Sequence, residues 1–285
     1  MASDILDAIT QDGINLELLI CTDILKLNSL HFGLWNGEED LSLSNLRVAQ
    51  ARYTENLIAL IPDGLGTILD VGCGIGDVAR ELANRGHAVT AISPDENHGP
   101  YVDAPDITFH KKRFEELDLD ERFDAVLMSE SQNYFDADIG FRQCVSHLRR
   151  GGYLIVCGMF KKTGAAAFDQ MPNLEASYVE KAAQYGLSLI DSTDITEQVL
   201  PTMKLANRVY RDHVLPAQRI LELYWKRTSR LKRYLIHIYF RKEIERLQLI
   251  RSYYEDYIDP EIFRQNVRYL TQRYVYDSDT SQIEP

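Results

Sequence analysis

The run Thr67-Ile68-Leu69-Asp70-Val71-Gly72-Cys73-Gly74-Ile75-Gly76-Asp77 reads as a buried strand that breaks into a glycine-rich turn and re-enters a helix. Ile68, Leu69 and Val71 are strand formers, and the glycines at 72, 74 and 76 remove the β-carbons that would keep a ligand off the turn. Asp70 falls at the carboxyl end of the strand, the edge at which open α/β sheets bind their ligands. Three clustered glycines weaken a chain unless the turn is needed, so a ligand-binding turn is the better reading than a bare connection.

The flanking sequence alternates in the same sense. Residues 67–71, 88–92, 107–111, 123–129 and 153–159 read as strands, with helical stretches such as 78–85 between them, and a helix at 176–185 precedes a strand at 187–191. That order predicts a parallel sheet built from βαβ units. Helical spacing over residues 3–27, interrupted near Gly13, and a second helix from Ser44 to Ile61, opened by a serine cap, form a helical preface. From Thr196 about seventy residues read as helix, broken near Pro201, Pro216 and Pro260, before a last strand at 273–277. The expected organisation is an amino-terminal helical cap over 1–62, a ligand-binding core over 63–195, a helical insertion over 196–265 and a return strand and tail over 266–285, all one folded unit.

Composition narrows the function classes. The 285 residues, 45% of them hydrophobic, suffice for a full core. No apolar run approaches bilayer-spanning length, and Met1-Ala2-Ser3-Asp4 opens without a signal-peptide pattern, so a cytoplasmic location is expected. Cys21, Cys73, Cys144 and Cys157 are scattered with no C-x-x-C pair, and His98, His213 and His237 form no ligand pattern. Metal-free chemistry is therefore expected. The net charge of −12 argues against a nucleic-acid footprint. Between residues 225 and 251, however, nine Lys or Arg face two Glu, a local net of +7. Such a block is most often a solvated cationic face; an anionic acceptor, an acidic membrane surface, the chain's own acidic remainder and a second subunit are its alternatives.

Glycine spacing selects the ligand. A dinucleotide fingerprint wants G-x-G-x-x-G, and here its third glycine is Asp77, a carboxylate placed against a pyrophosphate. The pattern present, D-x-G-x-G-x-G, resembles motif I of class I S-adenosylmethionine-dependent methyltransferases, whose cofactor carries an ammonium and a sulfonium. Phe123-Asp124-Ala125-Val126-Leu127-Met128-Ser129-Glu130-Ser131 resembles their motif IV, and Leu148-Arg149-Arg150-Gly151-Gly152 their L-(K/R)-P-G-G segment. The resemblance covers roughly residues 30–195 and implies an α/β, Rossmann-like seven-stranded sheet with helices on both faces. Ser29-Leu30-His31-Phe32-Gly33-Leu34-Trp35, Met128-Ser129-Glu130-Ser131 and Asp194-Ile195-Thr196-Glu197-Gln198-Val199-Leu200-Pro201 resemble segments of the enzymes acting on sterols, tocopherols and glycine derivatives and, more distantly, the cyclopropane fatty acid synthases.

That resemblance implies a cofactor site of Asp70, Gly72, Gly74, Gly76 and Ser129, with Trp35 over the sulfonium or simply filling core. Ser93 stands where such enzymes carry an acid for the ribose, so Asp95 or Asn97 is the substitute; Arg113, followed by Phe114, stands where an acid meets adenine. Glu130 is the candidate to steady the cofactor or accept a proton, Tyr134 occupies the place of a histidine in the sterol and tocopherol enzymes, and His31 either caps the cofactor or relays a proton, or is a packed histidine. The implied cofactor is S-adenosylmethionine and the implied partner a small organic acceptor, apolar or amphiphilic, methylated at C, N or O. The alternatives are a non-catalytic accessory subunit that binds the cofactor, and an RNA or protein methyltransferase, which lacks support because no N/D-P-P-Y motif follows residues 123–128. A homo-oligomer and a membrane-surface contact through 225–251 stay open.

Overall fold

The structure is a computed structural model that describes residues 15–102, 104–165, 167, 168, 171–245, 248 and 258–277. Seven strands, β1 (Thr67–Val71), β2 (Ala88–Ser93), β3 (Ile107–Lys111), β4 (Phe123–Ser129), β5 (Leu148–Lys161), β6 (Leu187–Asp194) and β7 (Val267–Tyr276), make one sheet in the order β3-β2-β1-β4-β5-β7-β6. Neighbours from β3 to β5 pair parallel, and β7 runs antiparallel to both β5 and β6. The chain winds outward from β1 to β3 and then returns to place β4 on the other side of β1. The carboxyl ends of β1 and β4 therefore flank the switch point where a crevice opens in such sheets.

Alternation along each strand supplies two cores. Ile68, Ala125, Leu127, Ile155 and Cys157 face one layer, while Leu69, Val71, Val126, Met128, Leu154 and Val156 face the other. Both layers are covered by helices. The first receives Tyr53, Leu57 and Ile58 of α1 (Leu43–Ile58) and Val78, Ala79 and Leu82 of α2 (Asp77–Asn84). The second receives Phe141 and Cys144 of α3 (Ala137–His147) and Tyr178 and Ala182 of α4 (Glu175–Gln184). Beyond β6 come α5 (Thr196–Val209), α6 (Leu215–Arg227), α7 (Arg230–Tyr239) and α8 (Pro260–Asn266).

Several boundaries differ from the sequence expectation for physical reasons. The cap of α1 is Ser42, whose Oγ accepts from the Asn45 amide at 3.2 Å, not Ser44. β5 starts at Leu148 rather than 153 because a bulge opposite Phe123 lets the double glycine pass; a β-carbon on Gly152 would sit 2.8 Å from the Arg149 carbonyl oxygen. Pro201 does not break its helix. Its ring costs about 3 kcal/mol in a helix interior, but Val199, Leu200 and Met203 beside it are all buried, at about 1.5–3 kcal/mol each. Pro216 follows a π-turn at Tyr210–Val214 that carries the helical backbone from α5 into α6 without a break. Pro260 does behave as expected, opening α8 at its first turn behind the Asp259 cap.

Of the helix expected over 3–27, residues 3–14 lie outside the described residues; the remainder contains Leu16–Leu19 and a π-turn at Ile20–Ile24. Residues 246, 247 and 249–251 of the basic block also lie outside the described residues. Among the described residues no helix is long and apolar enough to cross a membrane.

Candidate functional site

The turn after β1 is held by its own backbone. The amides of Gly72 and Cys73 both donate to the Ile92 carbonyl, at 2.9 and 3.1 Å, which ties the turn to the end of β2. Gly72, Gly74 and Gly76 sit at φ +75°, +53° and +71°, the left-handed region that glycine adopts without strain. A β-carbon at Gly72 would lie 2.6 Å from Ser131 Cβ, and one at Gly76 2.9 Å from Val102 Cγ2, so the turn is wedged between the segment after β4 and residues 99–102. Beneath it Asp70 is 2% exposed, and its Oδ2 has no hydrogen-bond partner. Burial, with Asp77 adding repulsion, pushes the Asp70 carboxyl up to about 7. The Ser131 hydroxyl and both side-chain polar atoms of Asn133 are likewise buried and unpartnered. A group of unpaired polar atoms around bare backbone is where a polar ligand completes the hydrogen bonding.

Glu130 directly follows β4 in a left-handed conformation, φ +57°, that a residue with a β-carbon adopts only when its surroundings fix it. Three contacts do so. Its amide donates to the Cys157 carbonyl at 2.7 Å; its Oε1 accepts from the Phe32 amide at 2.8 Å and from the Tyr269 hydroxyl. The Tyr53 hydroxyl continues the chain, 3.1 Å from Tyr269 Oη and 3.2 Å from Ser129 Oγ. Burial raises the Glu130 carboxyl above the usual carboxylate range, although the charge of His31 and the hydrogen bonds from Tyr269 and Phe32 pull against it. Burial also holds both tyrosines neutral.

His31 is stacked on Tyr53 with ring centroids 4.3 Å apart. Its Nε2 is 2.9 Å from Asp77 Oδ2 and its Nδ1 is 2.7 Å from the Phe32 carbonyl, so acceptors face both nitrogens and an imidazolium fits. Burial opposes that charge, but Asp77 and Glu130 outweigh it and raise the His31 pKa above its ordinary value. Asp77 in turn is held below the carboxylate range: His31 and a 2.5 Å hydrogen bond donated by Ser29 overcome its burial. His31 thus pins the amino-terminal segment to the start of α2.

The structure brings Asp70, the three glycines, Ser129, Glu130 and His31 together at the ends of β1 and β4. The other candidates are engaged as follows. Trp35 is 3% exposed and packs with Leu27, Leu46, Ala49 and Leu205, its indole N–H donating to Thr202 Oγ1 at 2.9 Å. Phe114 is 3% exposed against Phe135 in the second core layer, and Arg113 before it is exposed. Ser93 is taken up by His98 Nδ1 at 2.8 Å and the Asp95 amide at 3.2 Å. Asp95 caps the turn at Glu96–His98 through its Oδ1 and accepts from Asn15 at 2.6 Å through Oδ2. Tyr134 is 59% exposed, on the short helix Gln132–Tyr134. Sequence reading missed Tyr53 and Tyr269, which stand 216 positions apart, and Ser131 and Asn133. A polar run directly after a buried strand, Ser131 to Asn133, was the one available signal. Among the described residues no three His, Cys, Asp or Glu side chains group as metal ligands.

The comparisons with known proteins agree with this geometry. Residues 68–152 match the family described as a methyltransferase domain. No curated protein matches the sequence. Among solved structures, the cyclopropane synthase MmaA2 from Mycobacterium tuberculosis is 15% identical with a TM-score of 0.66, over 96% of this chain and 98% of that one. A geranyl diphosphate C-methyltransferase from Streptomyces coelicolor A3(2), solved with Mg2+, geranyl diphosphate and S-adenosyl-L-homocysteine, is 16% identical with a TM-score of 0.64, over 96% and 97%. The [4+2]-cyclase SpnF is 17% identical with a TM-score of 0.65, over 92% and 95%. At these identities the likeness establishes the seven-stranded methyltransferase fold.

Proposed function

We propose that this protein transfers a methyl group from S-adenosylmethionine to a small organic acceptor, apolar or amphiphilic, at carbon, nitrogen or oxygen. One observation carries the reading: a buried carboxylate with an unpartnered oxygen, Asp70, lies under a glycine turn whose neighbouring strand is followed by the tethered carboxylate of Glu130. The residues fit the cofactor. Asp70 and the backbone of residues 72–76 would hold its cationic and adenosyl parts, with Asp95 the remaining acid at the end of β2. Held there, S-adenosylmethionine would supply an electrophilic methyl group to the acceptor's electron pair, its sulfonium becoming a neutral thioether.

The residues of this chain then have two tasks. The first is alignment of acceptor, methyl carbon and sulfur, which by itself contributes about 7–11 kcal/mol. The second is disposal of the acceptor's proton. Glu130, raised in pKa by burial yet fed by two hydrogen bonds, is the base we assign, with Tyr269 and Ser129 as its neighbours. The acceptor is small rather than a nucleic acid, given the net charge of −12.

Titration calorimetry with S-adenosylmethionine and S-adenosylhomocysteine tests the cofactor, and release of S-adenosylhomocysteine in the presence of a metabolite extract tests turnover. No heat at millimolar ligand overturns the assignment. Because a [4+2]-cyclase shares the fold, cofactor binding and methyl transfer are measured separately. Binding without turnover supports a cofactor-binding accessory subunit; strong salt-dependent RNA binding supports an RNA substrate.

A further inference from the structure

Helices α6 and α7 have no buried residue. On α7, Leu231, Tyr234, Leu235, Ile238 and Tyr239 are 55–80% exposed. At 100° per residue these five fall within one arc of about 140°, a continuous apolar stripe turned to solvent. Lys232 borders the stripe on one side and Arg230 on the other, while Ile236 and Arg233, only partly exposed, lie on the opposite face. The preceding helix repeats the feature, with Ile220, Leu221, Leu223 and Tyr224 at 55–69% exposure. No acid occurs from residue 223 to 242, and among the described residues Lys226, Arg227, Arg230, Lys232 and Arg233 enter no ion pair. An apolar face rimmed by cations is the composition of a helix that lies in a lipid interface, its rings and aliphatic chains at the headgroup boundary and its cations snorkelling to anionic headgroups.

We propose that the α6–α7 pair is a membrane-docking surface that seats this protein on an anionic lipid bilayer. Charge decides between occupants. Pairing this face with the same face of a second copy would set two cationic rims against each other, whereas an anionic bilayer complements both the rim and the stripe. The attachment is peripheral, because no described helix is long and apolar enough to span. It is independent of the methyl-transfer reading and goes beyond it, since the cofactor turn at residues 72–76 is not part of this surface.

The test is co-sedimentation of the full chain with vesicles of phosphatidylglycerol and of phosphatidylcholine, read together with the fluorescence of Trp225, which is 39% exposed, against the constant background of buried Trp35. The protein is expected to sediment with the phosphatidylglycerol vesicles, with a blue shift of emission, and to bind phosphatidylcholine more than about tenfold more weakly. R230E/K232E and L231D/I238D alter exposed side chains. Each is expected to weaken vesicle binding more than about tenfold while calorimetric S-adenosylmethionine binding stays as in the wild type. Absence of wild-type binding to phosphatidylglycerol vesicles overturns the proposal. So does a dimer in solution that L231D/I238D dissociates, which would assign the stripe to a second copy of this chain.

Discussion

Two carboxylates at neighbouring strand ends have opposite consequences. Asp70 ionises near 3.8 in an unfolded chain and near 7 in the folded one. Between those values the unfolded chain has lost a proton that the folded chain keeps, so this group lowers stability as pH rises from about 4 to 7 and adds no further loss above that. Asp70→Asn is expected to raise the melting temperature of the ligand-free protein at pH 8, flatten its pH dependence between 4 and 7, and weaken S-adenosylmethionine binding at least about tenfold. A ligand-free variant less stable than wild type at pH 8 would refute the burial penalty. For Glu130, whose Oε1 already accepts from the Tyr269 hydroxyl and the Phe32 amide, Glu130→Gln keeps the shape and removes the base. Turnover should fall by about 10²-fold or more with cofactor affinity within about twofold; a parallel loss of affinity would place Glu130 in binding rather than proton transfer. Legibility at this scale was uneven. Asp70 and Glu130 could be read because each follows an apolar strand, but Tyr53 and Tyr269 could not, because the hydroxyl pair that supports Glu130 is assembled only by folding.

Elements fail or hold according to what they bury. β1, β2 and β4 were readable because both faces are covered and their sequences are apolar runs ended by glycine or serine. β7 was placed too late because Arg268, Thr271 and Gln272 interrupt its pattern; within the sheet Gln272 accepts from the Tyr274 hydroxyl at 2.8 Å and is 4% exposed. Pro201 misled for the complementary reason, since local propensity argued a break and tertiary burial overrode it. Pro201→Ala is therefore expected to stabilise the protein by about 1–3 kcal/mol in chemical denaturation. A destabilised variant would mean that the proline ring itself packs productively. Gly72→Ala should act in the other sense. Its β-carbon would meet Ser131 at 2.6 Å in a left-handed backbone, costing about 1–3 kcal/mol and displacing the turn that faces the cofactor. Equal stability with intact binding would show that the wedge between β1 and β4 yields.

At the scale of the whole molecule, the site draws on distant parts of the chain. Ser29, His31 and Phe32 come from the amino-terminal segment, Tyr53 from α1, Asp77 from α2, Glu130 from directly after β4 and Tyr269 from β7, all joined by hydrogen bonds or ring stacking. A ligand bound at the turn thus couples to elements across the fold, and at 100 times its dissociation constant it stabilises the folded state by about 2.7 kcal/mol. The α6–α7 pair is outside that network, with no buried residue to transmit the gain. Amide hydrogen exchange separates the two bodies of the molecule. With saturating S-adenosylmethionine, residues 29–35, 70–77 and 130–133 should gain protection, while residues 215–240 exchange quickly with and without it. Protection of 215–240 by the cofactor alone would instead make these helices a lid that closes on the site, and the basic apolar stripe would then face the ligand rather than an outside surface.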